Sequence, residues 1–387
     1  MAGASDYLIV AAGNCRPMKR PNLSNLTGLR ALAICMVLWI HSLAFLPNTS
    51  FKHIVLSFVL GGFFGVPVFF ALSGFLIAKP FFDEYAAGES VRMRSYAVKR
   101  IAKILPPFLL SLALAIAVQI HFASQPVPVI LADALKTLFF LQPFLTVHTK
   151  LNGGIYWSLP PEVYYYTLFP ICFLLLRRLG LLASWGGASS ISVALGILSA
   201  TCMAVYSRTG NYGWTLGGYY LFFAVGSFAA LVATRGSQKL LGLRRLDGFA
   251  ILLLMGSAGY FGWNSCAGRH VSPMHLYEIQ VPAALALFFL LLPVPDGSDR
   301  WLEKVSTTWF VKTTAMISYE WYLFHLPILA CFMYGRDVTA GNIFQFSFKC
   351  ILPIIVSWLV AFAIHRYYSL PLHRYIVRRW AVAETHA

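Results

Sequence analysis

The sequence predicts an all-α, polytopic integral membrane protein of about ten transmembrane helices, with both termini cytoplasmic. Three observations predict this fold class: 58% of the 387 residues are hydrophobic, only 11% are charged, and long apolar stretches recur from Leu26 almost to the C-terminus. An ordinary soluble domain carries roughly a quarter charged residues. Because lipid cannot satisfy backbone polar groups, such stretches must be helices, and their length and lack of strict alternation argue against a barrel.

The predicted spans divide the chain into a transmembrane domain (26–367), a cytoplasmic N-terminal tail (1–25) and a cytoplasmic C-terminal tail (368–387). The spans cover residues 26–46, 55–78, 104–122, 157–176, 187–206, 215–233, 247–263, 279–293, 313–333 and 346–367. Of the 30 Lys and Arg residues, 22 fall on the side of the termini, 7 fall on the opposite side, and Arg30 lies within the first span. Basic residues concentrate on the cytoplasmic side of membrane proteins, so this asymmetry sets the orientation.

Two predicted connections are long enough to do more than join helices. The cytoplasmic connection 79–103 is rich in basic residues. The external connection 123–156 is polar with apolar pieces, and it predicts a short interfacial or re-entrant helix near residues 133–145.

The net charge of +16 is explained by this membrane topology, so no nucleic-acid partner is expected. The seven cysteines contain no Cys-x-x-Cys pair, which is typical of small buried side chains and not of a disulfide framework. No metal is expected either, because His270, His275 and Glu278 match the spacing of no standard metal site.

Four ionisable residues inside the predicted spans are candidates for function: His41, Glu162, Glu320 and His325. Such groups are costly in a membrane, and most of them face a cavity or each other. A basic cluster of Lys99, Arg100 and Lys103 precedes the third span, and it suits the phosphates of a nucleotide-bearing donor. A basic flank that fixes topology or touches anionic lipid has the same pattern.

Arg30 and His41 are eleven positions apart in the first span, which is close to three helical turns and about 16 Å along the axis. The two side chains are therefore expected on one face. An arginine binds phosphate bidentately, and an imidazole accepts a proton near neutral pH. The alternative is a snorkelling arginine and a histidine that bridges helices.

Glu162 opens the fourth span after two prolines, where the helix dipole alone favours a carboxylate. Aromatic neighbours, including Trp157 and Tyr166, suit either a membrane-interface belt or a platform for a sugar.

The ninth span places a hydroxyl, a phenol and an imidazole on one helix face. Ser318, Tyr322 and His325 follow the spacing i, i+4, i+7, so they are expected to line one cavity wall. Glu320 points elsewhere, and a basic group on a neighbouring helix is its expected partner.

Four motifs together resemble the acyltransferase type 3 family, whose members O-acetylate bacterial polysaccharides, lipopolysaccharide O-antigen, nodulation factors and macrolide antibiotics. They are Arg-x10-His at 30–41, Phe-Phe-x-Leu-Ser-Gly-Phe-Leu-Ile at 69–77, Trp-Ser-Leu-x-x-Glu at 157–162 and Ser-Tyr-x-x-Tyr-Leu-x-His at 318–325. Any one motif can arise by chance in an apolar chain. All four occur in order, over nearly the whole sequence.

The resemblance implies a multi-pass enzyme of the bacterial cytoplasmic (inner) membrane that takes an acetyl group from acetyl-CoA, or another acyl group from an acyl-CoA, and holds no permanent cofactor. It implies that His41 is the catalytic base and that Arg30 and Arg100 belong to the donor site. The acceptors it implies are glycans, oligosaccharides or macrolides. About 20 residues follow the last predicted span, so we expect the extracellular esterase-like domain of some relatives to be absent.

Three residues depart from the family pattern. Lys103 stands where a second Arg is usual, and a lysine lacks bidentate phosphate geometry. Val163 replaces a second acidic residue, so Glu162 is the sole carboxylate there. Glu320 occupies a normally neutral position.

The resulting hypothesis is that the donor docks against Arg30, Arg100 and Lys103 at the cytoplasmic face and extends its acyl arm along the first helix. His41 then removes the proton of an acceptor hydroxyl, directly or after an acyl-histidine intermediate. Glu162 is the second candidate catalytic residue. The candidate acceptor-binding residues are Trp157, Tyr166, Ser318, Tyr322 and His325.

A transporter or flippase for a glycan or lipid-linked intermediate is the alternative function, since it would use the same ionisable residues as a polar pathway. The sequence shows no two-fold repeat and no pair of broken helices in corresponding halves, which argues against this alternative.

Overall fold

The computed structural model describes nine segments of the chain, and all of their regular structure is helical. These segments are residues 24–43, 64–122, 125–141, 151–209, 215–236, 247–266, 273–293, 301–333 and 351–381. No β-strand occurs in them. The predicted all-α class is therefore confirmed for the described part of the chain.

The described segments contain fourteen α-helices of seven or more residues, numbered in chain order. They are α1 (Ser24–Leu43), α2 (Gly65–Ala86), α3 (Met93–Phe122), α4 (Val127–Leu138), α5 (Leu159–Arg178), α6 (Trp185–Thr209), α7 (Tyr220–Arg235), α8 (Asp247–Cys266), α9 (Pro273–Leu291), α10 (Trp301–Thr307), α11 (Trp309–Met316), α12 (Ser318–Met333), α13 (Leu352–Ile364) and α14 (Leu370–Trp380). A 3-10 helix (Leu151–Ser158) leads into α5, a short turn (Thr215–Gly218) precedes α7, and a π-helical segment (His365–Ser369) joins α13 to α14.

Each of the ten predicted spans contains helix, and among the described residues five helical stretches are long and apolar enough to cross a membrane. The five are Asn25–Ser42, Gly65–Ala86, Met93–His121, Gly154–Arg178 and Trp185–Thr209. The protein is therefore polytopic by helix length and composition. The count of ten spans, the side of the termini and the bounds of the two tails stay predictions.

The predicted basic connection 79–103 is mostly helical in the structure. Helix α2 continues to Ala86 and α3 already begins at Met93, which leaves only a short turn between them. The predicted span ended at 78 because charged residues follow. The helix nevertheless continues through these residues, since Lys79 and Asp83 stabilise it by an ion pair of 2.6 Å between positions one turn apart.

The helix predicted near 133–145 is present, but it begins earlier and ends earlier. Helix α4 covers Val127–Leu138, and Pro126 precedes it with an extended backbone. Proline favours such a helix start, since its missing N–H is not needed there. Residues 142–150 lie outside the described part.

Close contact between α2 and α7 fixes the centre of the fold. A Cβ atom added to Gly226 would lie 2.1 Å from the carbonyl oxygen of Ala71, and one added to Gly74 would lie 2.5 Å from that of Phe223. Only glycine permits backbones to approach this closely. The Phe223 ring stacks on Phe70 at 4.8 Å between centroids, so aromatic rings fill the space beside the glycines.

Candidate active site

A cavity of about 90 Å³ opens among α1, α2, α3, α5 and α12. Its polar lining residues are Arg30, Ser73, Arg100, Lys103, Ser158, Glu162, Tyr166, Ser318, Tyr319 and Tyr322, and its apolar lining residues are Val66, Phe69, Phe70, Leu72, Leu76, Ile104 and Leu159. The structure thus brings most of the sequence-predicted site residues to one place, although they come from three of the predicted spans and the segment before the third.

Three cations converge on this cavity, namely Arg30, Arg100 and Lys103. Within the described residues, none of them lies within 4.0 Å of a carboxylate oxygen in an ion pair. Glu162 is the one carboxylate that lines the described cavity wall. The formal charge of these lining residues is therefore positive, which suits an anionic ligand.

Two aromatic rings orient the Arg100 guanidinium. Its central carbon lies 5.7 Å from the ring centroid of Tyr96 and 5.5 Å from that of Tyr166. Cation–π contacts of this kind hold a planar guanidinium by its faces, so its edge N–H groups stay available to a ligand. The Tyr96 hydroxyl in turn donates a hydrogen bond of 2.9 Å to the backbone carbonyl of Tyr166, which ties α3 to α5.

Glu162 lies in the first turn of α5 and accepts two hydrogen bonds through one oxygen. Ser73 of α2 donates at 2.5 Å, and the Tyr166 hydroxyl donates from one turn further along the same helix. The helix dipole favours a carboxylate at this position, as the sequence indicated. The structure adds a second finding, because the same side chain faces the cavity and connects two of its walls.

Ser318 and Tyr322 share one face of α12 and both line the cavity. The Tyr322 hydroxyl donates to the backbone carbonyl of Ile155 at 2.8 Å and accepts a hydrogen bond of 2.7 Å from Ser158. These contacts fasten α12 to the 3-10 helix that leads into α5. Hydrogen bonds at the Tyr322 hydroxyl therefore fix this side chain in the cavity wall.

His41 and His325 form a pair beside the cavity. Their ring centroids are 4.9 Å apart, and Nε2 of His325 lies 3.3 Å from Nδ1 of His41. Neither is among the described residues that line the cavity, but the Tyr322 ring connects them to it, since its centroid is 6.0 Å from that of His325. That His41 shares one solvated passage with Arg30 stays a prediction.

Trp157 packs beside the cavity and is not among its described lining residues. Its ring centroid lies 6.5 Å from that of Phe70 and 5.3 Å from that of Tyr219. Both rings are buried, so these contacts stabilise the wall formed by α2 and α7. The acceptor-binding role predicted for Trp157 is not tested by this placement.

The structure adds Ser73, Ser158 and Tyr319 to the predicted set. Ser73 stands in the run Leu-Ser-Gly-Phe at 72–75, where a lone polar residue between apolar ones was the available signal. Ser158 and Tyr319 adjoin predicted residues, but nothing in the spacing showed which way they face. Of the residues 270, 275 and 278, which the sequence did not favour as metal ligands, only the side chain of Glu278 lies within the described part, and it is exposed.

A family profile described as an acyltransferase domain matches residues 23–362. This match covers most of the chain, and its bounds include every residue of the cavity. The protein therefore belongs to the acyltransferase type 3 family, in agreement with the resemblance of its four motifs.

Several curated proteins are similar to this chain. The peptidoglycan O-acetyltransferase OatA of Listeria monocytogenes is 21% identical over 92% of the chain, and a putative peptidoglycan O-acetyltransferase of Bacillus subtilis is 25% identical over 49%. A putative O-acetyltransferase of Staphylococcus aureus is 23% identical over 49% of the chain. The matched parts are 56%, 29% and 31% of these relatives, so the chain corresponds to only part of each. No solved structure matches it.

Proposed function

We propose that this protein is an O-acetyltransferase that moves an acetyl or other short acyl group from an acyl-CoA to a hydroxyl of a carbohydrate-type acceptor. The family and the O-acetyltransferase names of its relatives support the reaction class. The observation that carries the proposal is the convergence of Arg30, Arg100 and Lys103 on a cavity whose described lining residues include one carboxylate, Glu162.

The three cations that line the cavity suit the phosphates of the donor. Arg30 and Arg100 supply planar guanidinium groups, and Lys103 supplies a point charge beside them. A donor anchored there directs its acyl-pantetheine arm along α1 toward His41, about 16 Å away by helical rise. On this proposal the arm passes Tyr322, which lines the cavity and contacts the histidine pair.

His41 acts as the general base in this mechanism. The acceptor oxygen attacks the thioester carbonyl carbon while its proton moves to the free ring nitrogen of His41. The tetrahedral intermediate then collapses, the carbon–sulfur bond breaks, and the departing thiolate takes the proton from the imidazolium. The products are the O-acyl ester and free CoA, and His41 returns to its neutral form.

The proposal also includes the number of membrane spans and the side of the membrane from which the donor binds. In this proposal the chain has ten spans with both termini cytoplasmic, so that the donor cavity faces the cytoplasm of a bacterial inner membrane, where acyl-CoA is present. The 22-to-7 distribution of Lys and Arg residues supports this orientation. The relatives' names favour a peptidoglycan-type glycan among the acceptors, with oligosaccharides and macrolides as the other classes to test.

The test uses inside-out membrane vesicles that contain the full chain, acetyl-CoA labelled in its acetyl group, and a panel of glycan, oligosaccharide and macrolide acceptors. We expect label in an ester of one acceptor, and we expect it only when the donor is on the cytoplasmic face. Movement of an unmodified acceptor across the vesicle membrane, without label transfer, would support the transporter alternative and refute the enzyme.

A further inference from the structure

Contacts with backbone carbonyls determine where the paired rings of His41 (α1) and His325 (α12) carry their protons. Nδ1 of His41 lies 2.7 Å from the backbone carbonyl oxygen of Val37, and Nδ1 of His325 lies 2.7 Å from that of Tyr322. A carbonyl oxygen can only accept a hydrogen bond. Each Nδ1 therefore carries a hydrogen, and each neutral ring keeps its lone pair on Nε2.

These tautomers also fit the contact between the two rings. Nε2 of His325 holds a lone pair and lies 3.3 Å from the Nδ1–H of His41. The hydrogen of His41 is thus shared between the carbonyl of Val37 and the ring of His325. The arrangement leaves Nε2 of His41 as the unprotonated nitrogen, which is the atom that a general base needs.

His325 has no ring nitrogen left for an acceptor substrate. Nδ1 donates to the Tyr322 carbonyl, Nε2 faces His41, and the side chain is 0% exposed. His41 is partly exposed at the same place. Of the two imidazoles, His41 is therefore the more accessible one.

We propose that His325 is a positioning residue, which holds His41 in the tautomer and orientation required of the base. This inference rests on the proposed function and replaces the acceptor-binding role that the motif suggested for His325. When Nε2 of His41 takes the acceptor proton, its Nδ1–H becomes a stronger donor. The lone pair of His325 and the carbonyl of Val37 then stabilise the imidazolium, as a carboxylate does in a hydrolase triad.

The test compares two variants of similar size that differ in hydrogen bonding. His325→Gln can place an amide oxygen near the position of Nε2, so it can still accept from His41, whereas His325→Met cannot. We expect His325→Met to lower kcat about 100-fold, within the range of general acid–base effects. We expect His325→Gln to retain at least about a tenth of the activity, and the KM for acetyl-CoA to stay within about twofold in both variants.

Three further measurements distinguish a positioning role of His325 from damage to the fold. His121→Met makes the same substitution at the exposed end of α3, and it should leave kcat and KM unchanged. All variants are compared for yield and melting temperature in detergent. The double variant His41→Ala/His325→Met should be no slower than His41→Ala alone, because a positioning residue acts only through the base.

The outcomes are distinct. If the wild-type chain transfers acetyl, three results would each overturn the positioning role. They are equal activity of His325→Met and His325→Gln, a wild-type kcat in His325→Met, and a further loss of kcat in the double variant relative to His41→Ala. Absence of transfer by the wild-type chain would refute the proposed function itself, and this inference with it.

Discussion

Oε1 of Glu320 lies 3.0 Å from Nδ1 of His365, which joins α12 to the π-helical segment before α14. Both side chains are largely buried. Glu320 stands one residue after Tyr319, which lines the cavity, but Glu320 is not among the described lining residues. The acidic residue that departs from the family pattern therefore has a structural partner in the π-helical segment that follows α13, and this partner is a basic side chain, as expected from the sequence.

Glu320→Ala should destabilise the protein, because it leaves His365 buried without its hydrogen-bond acceptor. The expected cost is about 1–3 kcal/mol, the penalty for leaving a buried polar group unsatisfied. Thermal unfolding in detergent measures it, together with His365→Ala and the double variant. If the two single losses simply add in the double variant, the side chains do not interact and this contact is absent.

Gly226→Ala should disrupt the contact between α2 and α7. The new Cβ would lie 2.1 Å from the carbonyl oxygen of Ala71, and backbone atoms cannot move aside cheaply. Overpacking of this kind costs about 1–3 kcal/mol or more. The matched control is Gly256→Ala in α8, where no heavy atom lies within 4 Å of the added carbon. Equal melting temperatures for the two variants would contradict the packing described here.

Arg100→Lys should weaken donor binding more than it slows the reaction. Lysine keeps the charge, but it loses the planar contacts with Tyr96 and Tyr166 and the bidentate geometry for phosphate. We expect the KM for acetyl-CoA to rise about tenfold, which is about 1.4 kcal/mol of binding energy. The control is Arg94→Lys, an exposed arginine on the same helix. An unchanged KM in Arg100→Lys would remove Arg100 from the donor site.

Periodicity and residue spacing predicted much of this architecture. The apolar runs of the sequence predicted ten spans, because membrane spans need long stretches without charge, and the structure has helix within each of them. Helical spacing also placed Ser318 and Tyr322 on one face, and both line the cavity. Helix ends were predicted less well, since a hydropathy window stops at Lys79 while the helix continues to Ala86.

Contacts between helices were beyond what spacing can predict. The His41–His325 pair joins residues 284 positions apart, and the bond from Ser73 to Glu162 spans 89 positions. Such contacts depend on how helices pack, which one sequence does not specify. For the same reason the spacing could not show that both ring nitrogens of His325 contact groups within the protein.

Single-turnover acetyl transfer by purified His41→Ala, compared with the wild-type chain, tests the central claim most directly. The protein is reconstituted in lipid with saturating acetyl-CoA labelled in its acetyl group and the best acceptor from the panel. The account predicts a rate at least about 100-fold lower, the contribution of a general base, with unchanged donor affinity and melting temperature. A rate within about twofold of wild type would contradict it, because the reaction would then proceed without the imidazole.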